Sequence, residues 1–305
     1  MTTVFDREFR FTVCVFSPAR RSEWVRAARR AEELGYDVLA VSDHLGGFAP
    51  VPTVATIAAA TSRLRTAIYV SSSTLYQPRV LARDYATLDQ YSDGRVEIGL
   101  GAGYSRAEFE SAGLPWRPAA ERVDALERAA LELRNILSEK DFRPTFAQRP
   151  GPPIAIAGRG DRVLRLAAAH ADIIGFSGSA PVPDGEPLRL ADPAEIRNRV
   201  EYVHGLLGAR IADVEFAIPV HRVLPHGARG PITDVWQNEV RFSGTDLREH
   251  PSILIGTPRE NADKLRALRA RFGFSYFNVM ESEMEAFADV IAELRPAPSA
   301  VRRGS

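Results

Sequence analysis

FRFTVCVFSPARRSEWVRAARRAEELGYDVLAVS, residues 9–42, contains one complete strand–helix–strand unit. Phe9–Phe16 is an apolar run of strand length. Glu23–Leu34 has helical periodicity and is stopped by Gly35, the residue that most readily turns left-handed after a helix. Asp37–Ser42 is again a strand. Two strands joined through a helix pair most naturally in parallel, so this unit predicts an α/β fold.

The same alternation continues along the chain. Strands are expected at Arg65–Ser71, Arg95–Ala102, Pro153–Ala157, Asp172–Phe176, Val214–Val223 and Ser275–Met280. Helices are expected at Val54–Thr61, Val80–Tyr91, Glu121–Leu137, Asp161–Ala171, Ala194–Leu207, Arg259–Phe272 and Glu283–Leu294. Eight strand–helix pairs in 305 residues fit a closed (β/α)8 TIM barrel better than an open sheet, which would be long at eight repeats in one layer. The expected domain is one barrel over residues 1–296, with a disordered tail at 297–305.

Helix starts support this parsing. Ser105–Glu108, Thr257–Glu260 and Ser282–Glu285 have the spacing of capping boxes, and Asp192-Pro193 offers a carboxylate cap with proline at the first helical position. Long loops are expected after strands 4, 6 and 7. Those at Ser177–Ala191 and Leu224–Pro251 should rise from the carboxyl-end face of the barrel as lids or substrate walls, the second with its own helix near Ile232–Phe242.

Composition narrows the function. Thirty-nine basic residues balance thirty-nine acidic ones, which removes the electrostatic footprint of a protein that grips nucleic acid or an anionic membrane. Cys14 is the one cysteine, so an intramolecular disulfide and cysteine-rich zinc sites are excluded. The start MTTVFDREFRF is not a basic leader followed by an apolar run, which predicts a soluble, cytoplasmic chain. Lys140 and Lys264 are the only lysines; the arginine bias reads most simply as GC-rich codon usage.

Candidate chemistry gathers at the carboxyl ends of the strands. In EIGLGAG, Gly99, Gly101 and Gly103 recur at every second position and share one face. They either open a slot for a flat ring or allow close packing at a barrel corner. This is not the Rossmann fingerprint, whose third glycine is missing. Asp43-His44 ends the second strand, where an imidazole can exchange a proton near neutral pH and the carboxylate can contact a ring or orient a neighbour. Ser71, Ser72, Ser73 and Thr74 bring four hydroxyls to the same rim. Gly158-Arg159-Gly160-Asp161 leads into a helix and has the makings of an anion site, although Asp161, as N-cap, would oppose a phosphate there. A metal site from Asp43, His44, His221 and Glu97 is disfavoured, because Glu97 should sit deep in the barrel.

In order along the chain, AEELGYD (31–37), SDHL (42–45), the hydroxyl-rich end of strand three, QPRVLARDYATLD (77–89), SDGRVEIGLGAG (92–103) and AGRGDRVLRLAAAHAD (157–172) resemble the bacterial luciferase-like family of flavin- and deazaflavin-dependent oxidoreductases. The likeness covers about residues 9–294. With ILIGT (253–257) and GFSY (273–276), it looks closest to the branch that uses coenzyme F420. The resemblance implies a homodimeric TIM barrel that holds the ring of F420, or alternatively FMN, at the carboxyl ends of its strands. It implies Asp43, Ser71, Ser72, Gly101 and Gly103 beside the ring and His44 at its reactive face. Gly158, Arg159 and Gly160 would take the phosphate, with Ser177 and Gly178 lining the groove. It also implies a non-proline cis peptide within Ala67–Ser72.

Departures from the family bear on substrate. In the glucose-6-phosphate branch a tryptophan follows the histidine, a glutamate follows the fourth-strand glycines and a lysine receives the sugar phosphate. Here Phe48, Tyr104 and Ser179 or a neighbour hold those places, which disfavours a sugar phosphate. Phe48, Tyr104, Phe109 and Trp116 would give an aromatic, mostly apolar substrate wall. The expected activity is hydride transfer between F420 and a small, partly apolar organic substrate, with His44 and then Tyr104 as proton-handling residues. The alternatives are a monooxygenase using reduced FMN and O2, a non-catalytic flavin binder and a metal-dependent hydrolase.

Overall fold

Parallel strands need a crossover to return the chain to the same end, and the helices supply it here. The computed structural model describes residues 5–181, 188–228, 232–233, 239–240 and 247–295. Eight strands close into a barrel: β1 (Arg10–Val15), β2 (Val38–Val41), β3 (Arg65–Ser72), β4 (Val96–Gly101), β5 (Ile154–Gly158), β6 (Ile173–Phe176), β7 (Glu215–Val220) and β8 (Phe274–Met280). Each is parallel to its neighbours in sequence, and β8 closes on β1 with Arg10 opposite Tyr276. The TIM barrel that the alternation predicts is therefore present.

Alternation along each strand sorts side chains into two cores. Phe11, Val13 and Val15 of β1 and Ile98 and Leu100 of β4 face outward and are fully buried under the helices. The helices are α1 (Arg21–Glu33), α2 (Pro50–Ala60), α3 (Pro78–Tyr91), α4 (Arg106–Ser111), α5 (Ala119–Ser138), α6 (Asp161–His170), α7 (Pro193–Leu207), α8 (Pro258–Phe272) and α9 (Met284–Leu294). The barrel lumen is lined by small residues, Ala40, Ala67, Ala155 and Ala217, and is filled by Tyr69 and Tyr276 in an edge-to-face contact.

At the amino end of the lumen, fully buried Glu97 accepts hydrogen bonds from Arg10, from Arg65 at 2.9 Å and from the Tyr276 hydroxyl at 2.9 Å. Burial alone would push this carboxyl up; Arg10 and Arg65 outweigh it and hold it below the ordinary range. Glu97 is thus the deep residue expected, and its oxygens are occupied by structural partners.

Several local expectations are corrected. The strand expected over Val214–Val223 breaks at His221, whose N–H reaches Ser252 O at 2.8 Å; Arg222–Leu224 then pairs with Ile253–Ile255 outside the barrel. In place of a helix at 232–242, Ile232–Thr233 pairs antiparallel with Glu239–Val240; the remainder of that segment lies outside the described residues. So does the tail at 297–305. The loop after β6 carries a two-stranded antiparallel pair, Ser179–Pro181 with Leu188–Leu190.

Capping boxes form at Thr257–Glu260 and at Asp192–Glu195. They do not form at the other two sites. Glu285 is drawn to Arg30 across the surface, and α9 begins only after a tight turn at Glu281–Glu283. Glu108 is drawn to His44. No helix among the described residues is long and apolar enough to cross a membrane.

Candidate active site

The carboxyl end of the barrel opens into a cleft of about 760 Å³, within the range of small-molecule sites. It runs from His44 on one side to Arg199 of α7 on the other.

Asp43 follows β2 and is almost buried. It accepts the Ser72 N–H at 3.1 Å and the Tyr76 hydroxyl at 2.9 Å. Burial pushes its carboxyl up, and these two hydrogen bonds oppose that only in part. The neighbouring His44 is partly open to solvent. Its Nδ1 lies 2.8 Å from Glu108 Oε1, and its Nε2 lies 3.4 Å from the Tyr104 hydroxyl. Tyr104 meets the imidazole edge-on, with ring centroids 5.7 Å apart.

The β3–β4 seam forms the adjoining wall. The non-proline cis peptide implied for Ala67–Ser72 lies between Tyr69 and Val70, both of which line the cleft. A Cβ on Gly99 would stand 2.2 Å from Ile68 O, and one on Gly101 would stand 2.4 Å from Val70 Cγ2. Close approach of β3 therefore explains these glycines, as one of the two readings held. Gly101 and Gly103 still present backbone to the cleft, so the other reading survives at its upper edge. Ser72 also faces the cleft, whereas Ser71 does not: its hydroxyl turns outward to Tyr85 of α3 at 2.9 Å. Ser71 is a support for the seam, which corrects its expected place beside the ring.

At the far side, Gly158, Arg159 and Gly160 line the cleft at the start of α6. The N-cap is Gly160 rather than Asp161, and no side chain caps the helix. Asp161 is the first helical residue and pairs with Arg199 at 2.5 Å, so its charge is compensated. Arg159 is half-buried, has no acidic partner among the described residues, and is pushed below its ordinary pKa by burial. A cation desolvated without a counter-charge beside uncapped helix N–H groups suits an anion. Ser177 and Gly178 line the same part; the Ser177 hydroxyl meets that of Ser179 at 2.9 Å, and Gly178 O accepts the Ala191 N–H at 2.8 Å.

The aromatic wall is smaller than expected. Tyr104 and Phe109 line the cleft. Phe48 packs edge-on against Trp24, and Trp116 lies behind Phe109 under the Arg122 guanidinium, 3.8 Å from its ring centre. Missed by the sequence reading were Glu108 from α4, Arg122 from α5, and Glu195, Asn198 and Arg199 from α7. For Glu108 the sequence carries a signal, its position three residues after Ser105, but that spacing points to capping; the others sit on ordinary amphipathic helices. No group of three or more potential metal ligands converges among the described residues.

Residues 11–189, more than half of the chain, match the luciferase-like monooxygenase family, and the chain belongs to it. It is 32% identical over 182 residues to an F420-dependent glucose-6-phosphate dehydrogenase of Nakamurella multipartita, covering 52% of this chain and 53% of that one. It is 25% identical over 241 residues to an FMNH2-dependent dimethylsulfone monooxygenase of Pseudomonas putida, covering 64% of this chain and 63% of the relative. The match thus spans about half the length of the dehydrogenase. In fold it is similar to an F420-dependent secondary alcohol dehydrogenase solved with an F420–acetone adduct, with a TM-score of 0.67 at 16% identity over 95% of this chain and 99% of that structure.

Proposed function

We propose that the chain is an F420-dependent oxidoreductase acting on a small, partly apolar organic substrate. The observation that carries this reading is the polarity of the cleft, with a proton-handling His44 at one end and, at the other, Arg159, which has no acidic partner among the described residues. A ring cofactor with an anionic arm has that polarity, and when bound it supplies hydride transfer. Asp43, Ser72 and the backbone of Gly101 and Gly103 would hold the ring. Gly158, Arg159, Gly160 and the first turn of α6 would hold the phosphate, with Ser177 and Gly178 beside it. His44 holds or releases a proton at Nε2, and Tyr104 brings a hydroxyl to that point.

The dehydrogenase relative supports F420 over FMN. Its sugar phosphate is not carried over to this chain. Tyr104 stands where that branch places a glutamate, and no lysine lines the cleft: Lys264 is spent on the carbonyls of Arg248, His250 and Ile253. The monooxygenase relative favours a second reading, reduced FMN with O2. Titration with F420 and with FMN, each followed by fluorescence, separates the two. Micromolar affinity for F420 is expected; micromolar FMN binding without F420 binding would overturn the first reading. The homodimer implied by the resemblance is part of the proposal, and sedimentation velocity tests it.

A further inference from the structure

Two residues from the chain after β4 converge on His44. Tyr104 follows the β4 glycines, and Glu108 sits one turn into α4, which starts just after Gly103 turns the chain at a φ of +74°. In a helix start of this spelling the glutamate should fold back on the Ser105 backbone, yet Ser105 makes no side-chain cap. Glu108 instead accepts the His44 Nδ1–H through Oε1 at 2.8 Å and the Leu45 N–H through Oε2 at 3.3 Å. The α4 helix gives up a stabilising cap to make this contact.

We propose that Glu108 is a positioning residue that fixes His44 in the Nδ1–H tautomer, turning a bare Nε2 toward Tyr104 and the cleft. An ionised carboxylate is acceptor-only, so the ring nitrogen facing it must carry the hydrogen. The neutral imidazole has one hydrogen to place, so Nε2 is left as the base. Asp43, Tyr104 and Glu108 are the titratable groups around the ring among the described residues. Asp43 is already engaged by Ser72 and Tyr76, and Tyr104 meets the ring at Nε2, so Glu108 is the acceptor that faces Nδ1.

The inference rests on the proposed role of His44 in hydride transfer. In the oxidising direction a substrate hydroxyl gives its proton to Nε2, the O–H bond breaking as the N–H bond forms. A bound, oxidised deazaflavin would supply the acceptor for the hydride that the carbon bearing that hydroxyl gives up. The imidazolium so formed faces the Glu108 carboxylate, which compensates its charge. Reduction runs the same steps backwards.

The test needs neither cofactor nor substrate. Long-range 1H–15N correlation spectra of histidine-labelled full-length protein, taken where the ring is neutral and assigned with His44→Ala, report which nitrogen is bare. The expected result is a bare Nε2 in the wild type, retained in Glu108→Gln, whose amide oxygen can still accept, and lost toward the mixture found in water in Glu108→Ala. A bare Nδ1 in the wild type overturns the proposal even if neither Glu108 variant folds. An unchanged tautomer in a folded Glu108→Ala overturns it too. Where a turnover substrate is in hand, Glu108→Ala should lower kcat about 10- to 100-fold while cofactor affinity stays within about twofold. Failure of F420 to bind would remove the cofactor reading and leave the tautomer result standing. The reverse failure would remove Glu108 alone.

Discussion

Removing the positive charge at Arg159 should have opposite effects on binding and on stability. The guanidinium is half-buried, its pKa is depressed by that burial, and no described acidic residue faces it. Among the described residues nothing offsets that desolvation, and Arg159→Met, which keeps much of the apolar stem, should stabilise the ligand-free protein by about 0.5–1 kcal/mol after allowance for solvent screening. For a chain this long that amounts to a rise in Tm of about 1–2 °C. Cofactor binding should move the other way. A charge-assisted hydrogen bond contributes about 1.5–3 kcal/mol, so the Kd for F420 should rise about 10- to 150-fold, and by less at high salt because the wild type is weakened there too. Fluorescence titration at two ionic strengths gives the first quantity and thermal unfolding without ligand gives the second. An unchanged Kd would refute the anion site. A fall in both affinity and Tm would show that Arg159 supports the loop and is not waiting for a ligand.

Three further outcomes follow from groups outside the cleft chemistry. Glu97→Ala removes the acceptor that Arg10 and Arg65 share, leaving Arg10 with Glu215, and should cost about 2–3 kcal/mol in denaturant unfolding; because the folded carboxyl is held low, the stability from Glu97 is present above the unfolded pKa and lost as pH falls through the lower folded one. His221 and His250 are buried, with pKa values lowered by burial to about 3 and about 4. The unfolded chain takes up protons below about pH 6.5 that the folded chain refuses, so unfolding free energy should fall between about pH 6.5 and 4, before the carboxylates titrate; a flat profile there would contradict the burial of these rings. Ser71→Ala should leave F420 affinity within about twofold and cost about 1 kcal/mol of stability, since its hydroxyl serves Tyr85 and not the cleft.

The barrel was legible because its signal is repeated: eight strand–helix units each carry the same periodicity, and an error at one boundary leaves the others intact. The lining of the cleft was legible where candidate chemistry coincides with a strand end, as at Asp43, His44 and Gly158–Gly160. It was not legible where one residue type serves two physical ends. Ser105–Glu108 has the letters of a capping box, and only the placement of α4 next to the residues that follow β2 shows that the carboxylate is used on His44. Ser71 and Ser72 are adjacent and both hydroxylic, yet successive strand residues face opposite ways. One meets Tyr85 and the other the cleft. Arg122, Asn198 and Arg199 lie on helices whose sequence records only which face is buried, not which loop the exposed face overlooks.

The glycines around the cleft separate packing from binding, and one pair of substitutions makes the distinction measurable. A methyl on Gly99 would stand 2.2 Å from the Ile68 carbonyl oxygen, a backbone atom of the adjacent strand that has no rotamer to yield. Gly99→Ala should therefore force β3 and β4 apart and destabilise the fold by about 1–3 kcal/mol or more. The cleft would be lost with it, since Val70 and Ser72 sit on the displaced strand. Gly160 has nothing within 4 Å of a Cβ and its φ of −76° suits any residue. Gly160→Ala should leave Tm nearly unchanged, a helix N-cap change from glycine costing about 1 kcal/mol at most. If the first turn of α6 holds a phosphate, the added methyl narrows the approach to those N–H groups and cofactor affinity should drop about tenfold in a protein of wild-type stability. A Gly99→Ala protein as stable as the wild type would mean that β3 can move away from β4 and that the seam does not hold the glycines in place. Wild-type affinity in Gly160→Ala would move the anion away from the helix end.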